Sequence, residues 1–166
     1  LVDKVAALCI ANNVIMIADS QCSSQIGDVS RFRGMHLLTP TEREVRISLR
    51  NQDDGLVVIA ERLRQKSNAN NIMLKLGSEG VVLHLEDDKR VPQTDRLPAL
   101  NPLPLDVAGA GDSMLITAGL ALAVGASAWE AAALGSIAAG IQVSRLGNNP
   151  MTKQAFLSAI KANNKY

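Results

Sequence analysis

Asp106-Val107-Ala108-Gly109-Ala110-Gly111-Asp112-Ser113 is the most informative stretch of this 166-residue chain. It follows a proline-rich, extended segment over residues 90–105 and opens an apolar helix predicted to run to about residue 124. Small residues at such a loop-to-helix junction let an anion approach the backbone closely. The first N–H groups of a helix lack an intrahelical acceptor, and the helix dipole adds partial positive charge there. The amides of Gly109, Ala110 and Gly111 are therefore candidate donors to a phosphate. A tight turn packing small residues against a neighbour is the alternative this segment alone leaves open. Asp112 is the one charge between Asp106 and Glu130, in sequence that otherwise reads as core. It is either a helix-start carboxylate favoured by the dipole, or a general base beside amides poised for the charge of a transferred group.

Working outward, residues 1–11 carry Val2, Val5, Ala6, Leu8 and Cys9 at helical spacing. Residues 14–18 form an apolar, β-branched run ended by Asp19-Ser20, which predicts a buried parallel strand. Residues 21–33 are polar and read as a loop, and 35–38 as a second short strand stopped by Pro40. Thr41-Glu42-Arg43-Glu44 has the form of a capping box for a helix to about residue 49. A further helix over 54–67 places Leu56, Val57, Ile59, Ala60 and Leu63 on one side. Residues 72–76 and 81–85 read as a hairpin around Gly77-Ser78-Glu79-Gly80. Ser127 caps a helix to about residue 146, Gly147-Asn148-Asn149-Pro150 breaks it, and Thr152 starts a last amphipathic helix. Strands alternating with helices define an α/β protein with a mainly parallel sheet.

Composition narrows the function classes. A hydrophobic content of 47% excludes disorder as the main character, and a net charge of +1 gives no electrostatic footprint for nucleic acid. Aromatic residues are 2% of the chain, so the core is packed from Ala, Leu, Val and Ile. The uncharged run 113–129 is too short and too rich in Ala and Gly for a membrane span, and reads as a buried helix. Cys9 and Cys22 are too few for a disulfide scaffold and read as reduced thiols of a cytoplasmic protein. No signal peptide is visible. The start at Leu1, without Met and inside a predicted helix, reads as that of a fragment or processed chain.

Weaker candidates lie on the loops. The glycines of Gly77-Ser78-Glu79-Gly80 can lend N–H groups to a nucleotide's phosphates, or simply make a turn. Glu44 completes the capping box, and a carboxylate beyond a strand end could also orient a hydrated Mg²⁺. Asp19 follows the first strand at the edge where α/β proteins collect ligands, or caps a turn. His36 and His84 have no partner at metal-ligand spacing, and Arg31-Phe32-Arg33 reads as a solvated loop.

With these residues assembled, the chain resembles the PfkB, or ribokinase-like, family of carbohydrate kinases. Residues 106–113 look like the family's D-T-x-G-A-G-D-[ST] signature. Leu76-Gly77-Ser78-Glu79-Gly80 is similar to its L-G-x-x-G phosphate loop, and Pro40-Thr41-Glu42-Arg43-Glu44 to its P-N-x-x-E segment, in the same order along the chain. The resemblance covers residues 1–166 as the C-terminal, nucleotide-binding half of the family's usual domain; nothing matches the half that carries the lid and most sugar contacts. Arg31-Phe32-Arg33-Gly34 with Leu37-Leu38-Thr39-Pro40 looks most like the heptose-phosphate kinases of ADP-heptose synthesis.

The resemblance implies ATP and Mg²⁺ as cofactors and a sugar or sugar phosphate as acceptor. It makes Asp112 the base that takes the acceptor hydroxyl's proton, and the amides of Gly109, Ala110 and Gly111 the anion hole for the γ-phosphoryl group. Gly77, Ser78 and Gly80 lie along the ATP phosphates, Glu44 organises Mg²⁺ through water, and residues 138–148, with Asn148, border the adenine. Thr41 and Val107 depart from the family's Asn and Thr, the latter in a loop associated with a monovalent cation. The alternative is a non-catalytic nucleotide-binding or assembly module. Lacking the sugar half, it would leave sheet edge and apolar helix surface exposed, which favours a homo-oligomer. A dinucleotide-binding oxidoreductase fits less well, because no G-x-G-x-x-G follows the first strand.

Overall fold

The computed structural model describes residues 1–19, 27–85, 92–101 and 103–163. Ser20, Cys22, Arg90 and Pro102 therefore lie outside the described residues, as do parts of the predicted 21–33 loop and 90–105 segment. The chain divides into two units, one of Leu1–Leu76 with Val81–Arg96, the other of Gly77–Gly80 with Leu97–Tyr166.

The first unit carries α1 (Val2–Ala11), β1 (Ile17–Ala18), a 3-10 turn (Val29–Arg31), β2 (Leu37–Leu38), α2 (Glu42–Leu49), α3 (Leu56–Ser67), β3 (Asn71–Lys75) and β4 (Val81–Leu85). Its sheet runs in the order β1-β2-β3-β4-β5, where β5 is Gln93–Leu97. β1 pairs parallel with β2 (Ile17 opposite Leu37), β2 parallel with β3 (Leu37 opposite Asn71), and β3 antiparallel with β4 (Met73 opposite Leu83). The sheet is thus mixed, with the predicted hairpin supplying the antiparallel pair.

Both first strands are shorter than the predicted runs 14–18 and 35–38. The Met16 N–H donates to the His36 side chain (3.1 Å), and Asn70 N–H rather than a strand neighbour takes the Met35 carbonyl (2.9 Å). β1 thus begins three residues, and β2 two residues, after the start of its predicted run.

Every residue of β4 is buried, and Ile72, Met73 and Leu74 of β3 are fully so, which means both faces of the hairpin are covered. On one face Leu38, Ile72, Leu74 and Val82 join Val45 of α2 and Ile59, Ala60 and Leu63 of α3. Ala6 and Cys9 anchor α1 to this cluster, while its Val5, Leu8 and Ile10 stay exposed. α3 starts at Leu56 rather than 54, because Asp54 is held in the preceding loop by Asn51, Arg46 and Arg62. Val57, expected on the buried side, is half exposed. His84 is buried and satisfied: Nδ1 faces Thr94 Oγ1 (2.6 Å) and Nε2 faces Glu61 Oε2 (2.7 Å).

The second unit is built on α4 (Ala110–Ala123), α5 (Ala128–Val143) and α6 (Lys153–Asn163). α4 and α5 pack through small residues. A Cβ at Gly135 would stand 3.0 Å from the Met114 carbonyl oxygen and 3.4 Å from the Ala118 Cβ. This close approach is how a core with few aromatics fills its space: Ala118, Ala121, Ala131, Ala132 and Ala138 are all buried. Ser127 and Glu130 form a reciprocal capping box at the start of α5. Among the described residues no helix is long and apolar enough to cross a membrane.

Candidate active site

Of the predicted site residues, the structure gathers Gly77, Ser78, Gly80, Gly109, Ala110, Gly111, Asp112 and Asn148 into the second unit, whereas Glu44 belongs to the first. At the start of α4, Gly109 is the N-cap with φ of 75°, a left-handed conformation that favours glycine. Ser113 N–H closes the first full turn on the Gly109 carbonyl (2.9 Å), and Ala110 N–H makes a long turn bond to the Val107 carbonyl (3.3 Å). Among the described residues, the N–H groups of Gly109, Gly111 and Asp112 have no acceptor. The Asp112 carboxylate sits at the third position of the helix and is exposed. Open amides, the dipole of a 14-residue helix and a carboxylate on its first turn thus occupy one place.

The loop leading into α4 is held from two directions. Asp106 accepts from Ala108 N–H (2.9 Å) and from Gly147 N–H (2.9 Å). These two backbone donors, Ala108 foremost, hold its carboxyl below the usual carboxylate range. Gln142, buried on the last turn of α5, donates to the carbonyls of Ala108 and Gly147, at 3.1 Å each. Asn148 follows directly, and its side chain lies where a Cβ on Gly109 would be. The Gly109 turn and Asn148 are therefore neighbours. Asp106 was legible as part of the motif but not as a brace. Gln142 was missed, although a polar residue in the run 131–143 was a signal available in the sequence.

Gly77–Glu79 is a 3-10 turn, exposed, with Gly77 at φ of 62° and Gly80 at 93°. The two glycines differ in surroundings. Nothing lies within 4 Å of a Cβ built on Gly77, while one on Gly80 would strike the backbone of Leu97, Pro98 and Ala99. Gly80 is thus required by packing, and Gly77 leaves open space beside its amide.

Glu44 is buried, and its Oε2 accepts from Thr41 N–H (2.6 Å) and Thr41 Oγ1 (2.9 Å), so the capping box is real. Among the described residues its Oε1 has no hydrogen-bond partner, and no cluster of three metal-ligating side chains exists. One fixed carboxylate with one spare oxygen fits a hydrated Mg²⁺ held through water, not a direct cage. Asp19 is ion-paired with Lys75 at 2.5 Å. Cys9 is a free thiol.

The pfkB family of carbohydrate kinases matches this chain over residues 1–155, and the chain belongs to that family. Among curated proteins it is similar to the bifunctional protein HldE of Geotalea uraniireducens, with 31% identity over 137 residues, covering 80% of this chain and 27% of that protein. It is also similar to HldE of Caulobacter sp. strain K31, with 35% identity over 129 residues, 75% of this chain and 26% of that one. Among solved structures, ribokinase from Thermotoga maritima superposes with a TM-score of 0.76 at 23% identity, over 95% of this chain and 53% of that one. Arabidopsis thaliana ribokinase complexed with ribose and ATP gives 0.77 at 20% identity, over 95% and 51%. The fold is ribokinase-like, and the chain spans about half the length of these structures and about a quarter of the HldE proteins.

Proposed function

We propose that this chain is the nucleotide-binding, phosphoryl-transferring portion of a kinase that moves the γ-phosphate of ATP to a hydroxyl of a sugar or sugar phosphate. The observation that carries this reading is the start of α4, where the exposed Asp112 carboxylate stands on the same turn as the open amides of Gly109 and Gly111. In this reading Asp112 accepts the proton of the acceptor hydroxyl as the hydroxyl oxygen attacks the γ-phosphorus, the bond to the β,γ-bridging oxygen breaks, and ADP leaves. The amides of Gly109, Ala110 and Gly111 hold the charge on the transferring group, which is where most of the catalysis of phosphoryl transfer resides. Gly77, Ser78 and Gly80 run along the phosphates, and Asn148 borders the nucleotide. Glu44 would hold Mg²⁺ through water; the ion, when bound, supplies charge neutralisation on the phosphates. A heptose phosphate is the acceptor class favoured by the similarity to the HldE proteins.

The test is ATP-dependent transfer to a panel of sugars and sugar phosphates, heptose phosphates included, by the intact protein and its Asp112→Asn variant. The variant should lose at least about a hundredfold in kcat, the scale of general-base catalysis, with ATP affinity retained. A variant with near wild-type kcat sinks the base assignment.

A second reading is a non-catalytic nucleotide-binding or assembly module. The exposed Val5, Leu8 and Ile10 of α1, Ile116 and Leu120 of α4 and Val124 at its C-cap favour it, as surfaces for a homo-oligomer. Calorimetry with ATP–Mg²⁺ and the sugar panel separates the two, since nucleotide binding without sugar binding or turnover favours the module.

A further inference from the structure

The two loops of the candidate site, residues 106–109 and 147–149, are bridged from within by Asp106, whose carboxylate accepts from Ala108 and Gly147 N–H. The end of α5 holds them from outside. The Val143 carbonyl accepts from Leu105 N–H (2.8 Å) and Asp106 N–H (3.3 Å). From the adjacent residue, the Gln142 amide donates one N–H to the Ala108 carbonyl and the other to the Gly147 carbonyl. Which end of the amide faces the loops follows from its neighbour. Arg145 Nη2, which can only donate, lies 3.0 Å from Gln142 Oε1, so the oxygen faces Arg145 and the NH₂ faces the carbonyls. Arg145 in turn donates to the carbonyls of Asn149 (3.0 Å) and Pro150 (3.3 Å). Gln142 is 2% exposed, with both donors and its acceptor satisfied, which is the condition under which a buried amide fixes one geometry rather than weakening it.

We propose that Gln142 is a positioning residue for phosphoryl transfer. It sets the Gly109 turn, and through it the amides and carboxylate at the start of α4, at a fixed separation from the loop that presents Asn148. The side chain touches no reacting atom; it acts through the Ala108 and Gly147 carbonyls. Asp106 bridges the same two loops through their N–H groups, so the loops are tied by a donor pair on one side chain and an acceptor pair on another. Transfer requires reacting atoms held within a fraction of an ångström, and a misplacement of about 1 Å can cost on the order of a hundredfold. This assignment rests on the kinase reading.

Two near-isosteric variants of the intact protein test it. Gln142→Glu keeps the shape but turns both donors into acceptors facing carbonyl oxygens; Gln142→Leu keeps the volume and removes every polar atom. Both should lower kcat by about tenfold to a hundredfold, leave the acceptor KM within about twofold, and speed amide exchange at residues 106–112 and 147–149 while β3 and β4 stay protected. A lowered melting temperature with unchanged kcat per folded molecule would show Gln142 to be merely structural and overturn the proposal, as would unchanged exchange in the two loops. If the wild-type protein neither binds nor turns over ATP, the kinase reading fails and the role in transfer falls with it, whereas the exchange measurement independently reports whether the clamp exists.

Discussion

Gly77 and Gly80 separate a loop built for packing from a loop built for a ligand, and alanine at each position should give opposite patterns of damage. Both adopt positive φ, so alanine at either position carries left-handed strain of about 1 kcal/mol. At Gly77 that is the whole structural cost, because nothing lies within 4 Å of the added methyl group. At Gly80 the methyl group would collide with the Leu97 carbonyl oxygen, and would stand 2.6 Å from both the Ala99 nitrogen and the Pro98 carbonyl carbon. These are backbone atoms that cannot swing aside, so an overpacking cost of about 1–3 kcal/mol is added and the total reaches about 3 kcal/mol. Urea unfolding of the two variants reads these numbers directly. Calorimetric titration with ATP reads the other half. Gly77→Ala puts a methyl group into open space where a phosphate would lie and should weaken ATP binding by about tenfold, or 1.4 kcal/mol, while barely shifting the unfolding midpoint. If Gly80→Ala is no more destabilising than Gly77→Ala, the packing argument is wrong. If Gly77→Ala binds ATP as wild type does, the loop is a plain turn.

At the other loop, Gly109→Ala should cost about 1 kcal/mol of left-handed strain and displace the flexible Asn148 side chain. Its effect on ATP affinity should therefore vanish in an Asn148→Ala background, and additive effects in that double-mutant cycle would show the two residues to be independent. Thr41→Ala removes the cap of α2 and should lower stability by about 1 kcal/mol in denaturant unfolding. Glu61 is held down to about 2, chiefly by hydrogen bonds from Arg64, against its desolvation and with help from His84 and Gln65. A carboxyl depressed on folding contributes stability that is full above its ordinary value near 4.5 and is lost as pH falls toward 2. An acid titration of stability should therefore be flatter between pH 4.5 and 2 in Glu61→Gln than in wild type, and parallel curves would refute this.

The helices and their caps were legible because their signals are local. Thr41 with Glu44 and Ser127 with Glu130 are boxes three residues long, and both form as written. The turn into α4 at Gly109 was legible for the same reason, since eight consecutive residues carry it. Strand extent was not, because a ladder is decided by partners far along the chain. Residues 14–18 keep only Ile17 and Ala18 as strand, with Met16 N–H bonded to the His36 side chain, and residues 93–97 gain a strand beside β4. His84 has no partner at metal-ligand spacing in the sequence, and its partners Glu61 and Thr94 lie on two other elements, so its role in tying α3 to β5 has no local trace. The clamp of Gln142 is the extreme case, spanning 34 residues to reach Ala108.

The small-residue seam between α4 and α5 and the candidate site at one end of it have a common cause. Gly135 lets α5 lie against Met114 and Ala118, and the short connection over residues 124–127 makes the two helices run back on each other. The positive end of α4 must then lie beside the negative end of α5, where the two dipoles would cancel and leave little field for an anion. The loops prevent that cancellation by using up the carbonyls at the end of α5. Val143 accepts from Leu105 and Asp106, Gln142 from Arg145 N–H, and Ile141 from Ser144, while the Arg145 guanidinium adds positive charge there. Among the described residues the N–H groups of Gly109, Gly111 and Asp112 at the start of α4 have no such partners. Capping one helix end and leaving its neighbour open converts a pair of opposed dipoles into a net donor surface, and the same loops that do the capping hold Gly109 against Asn148.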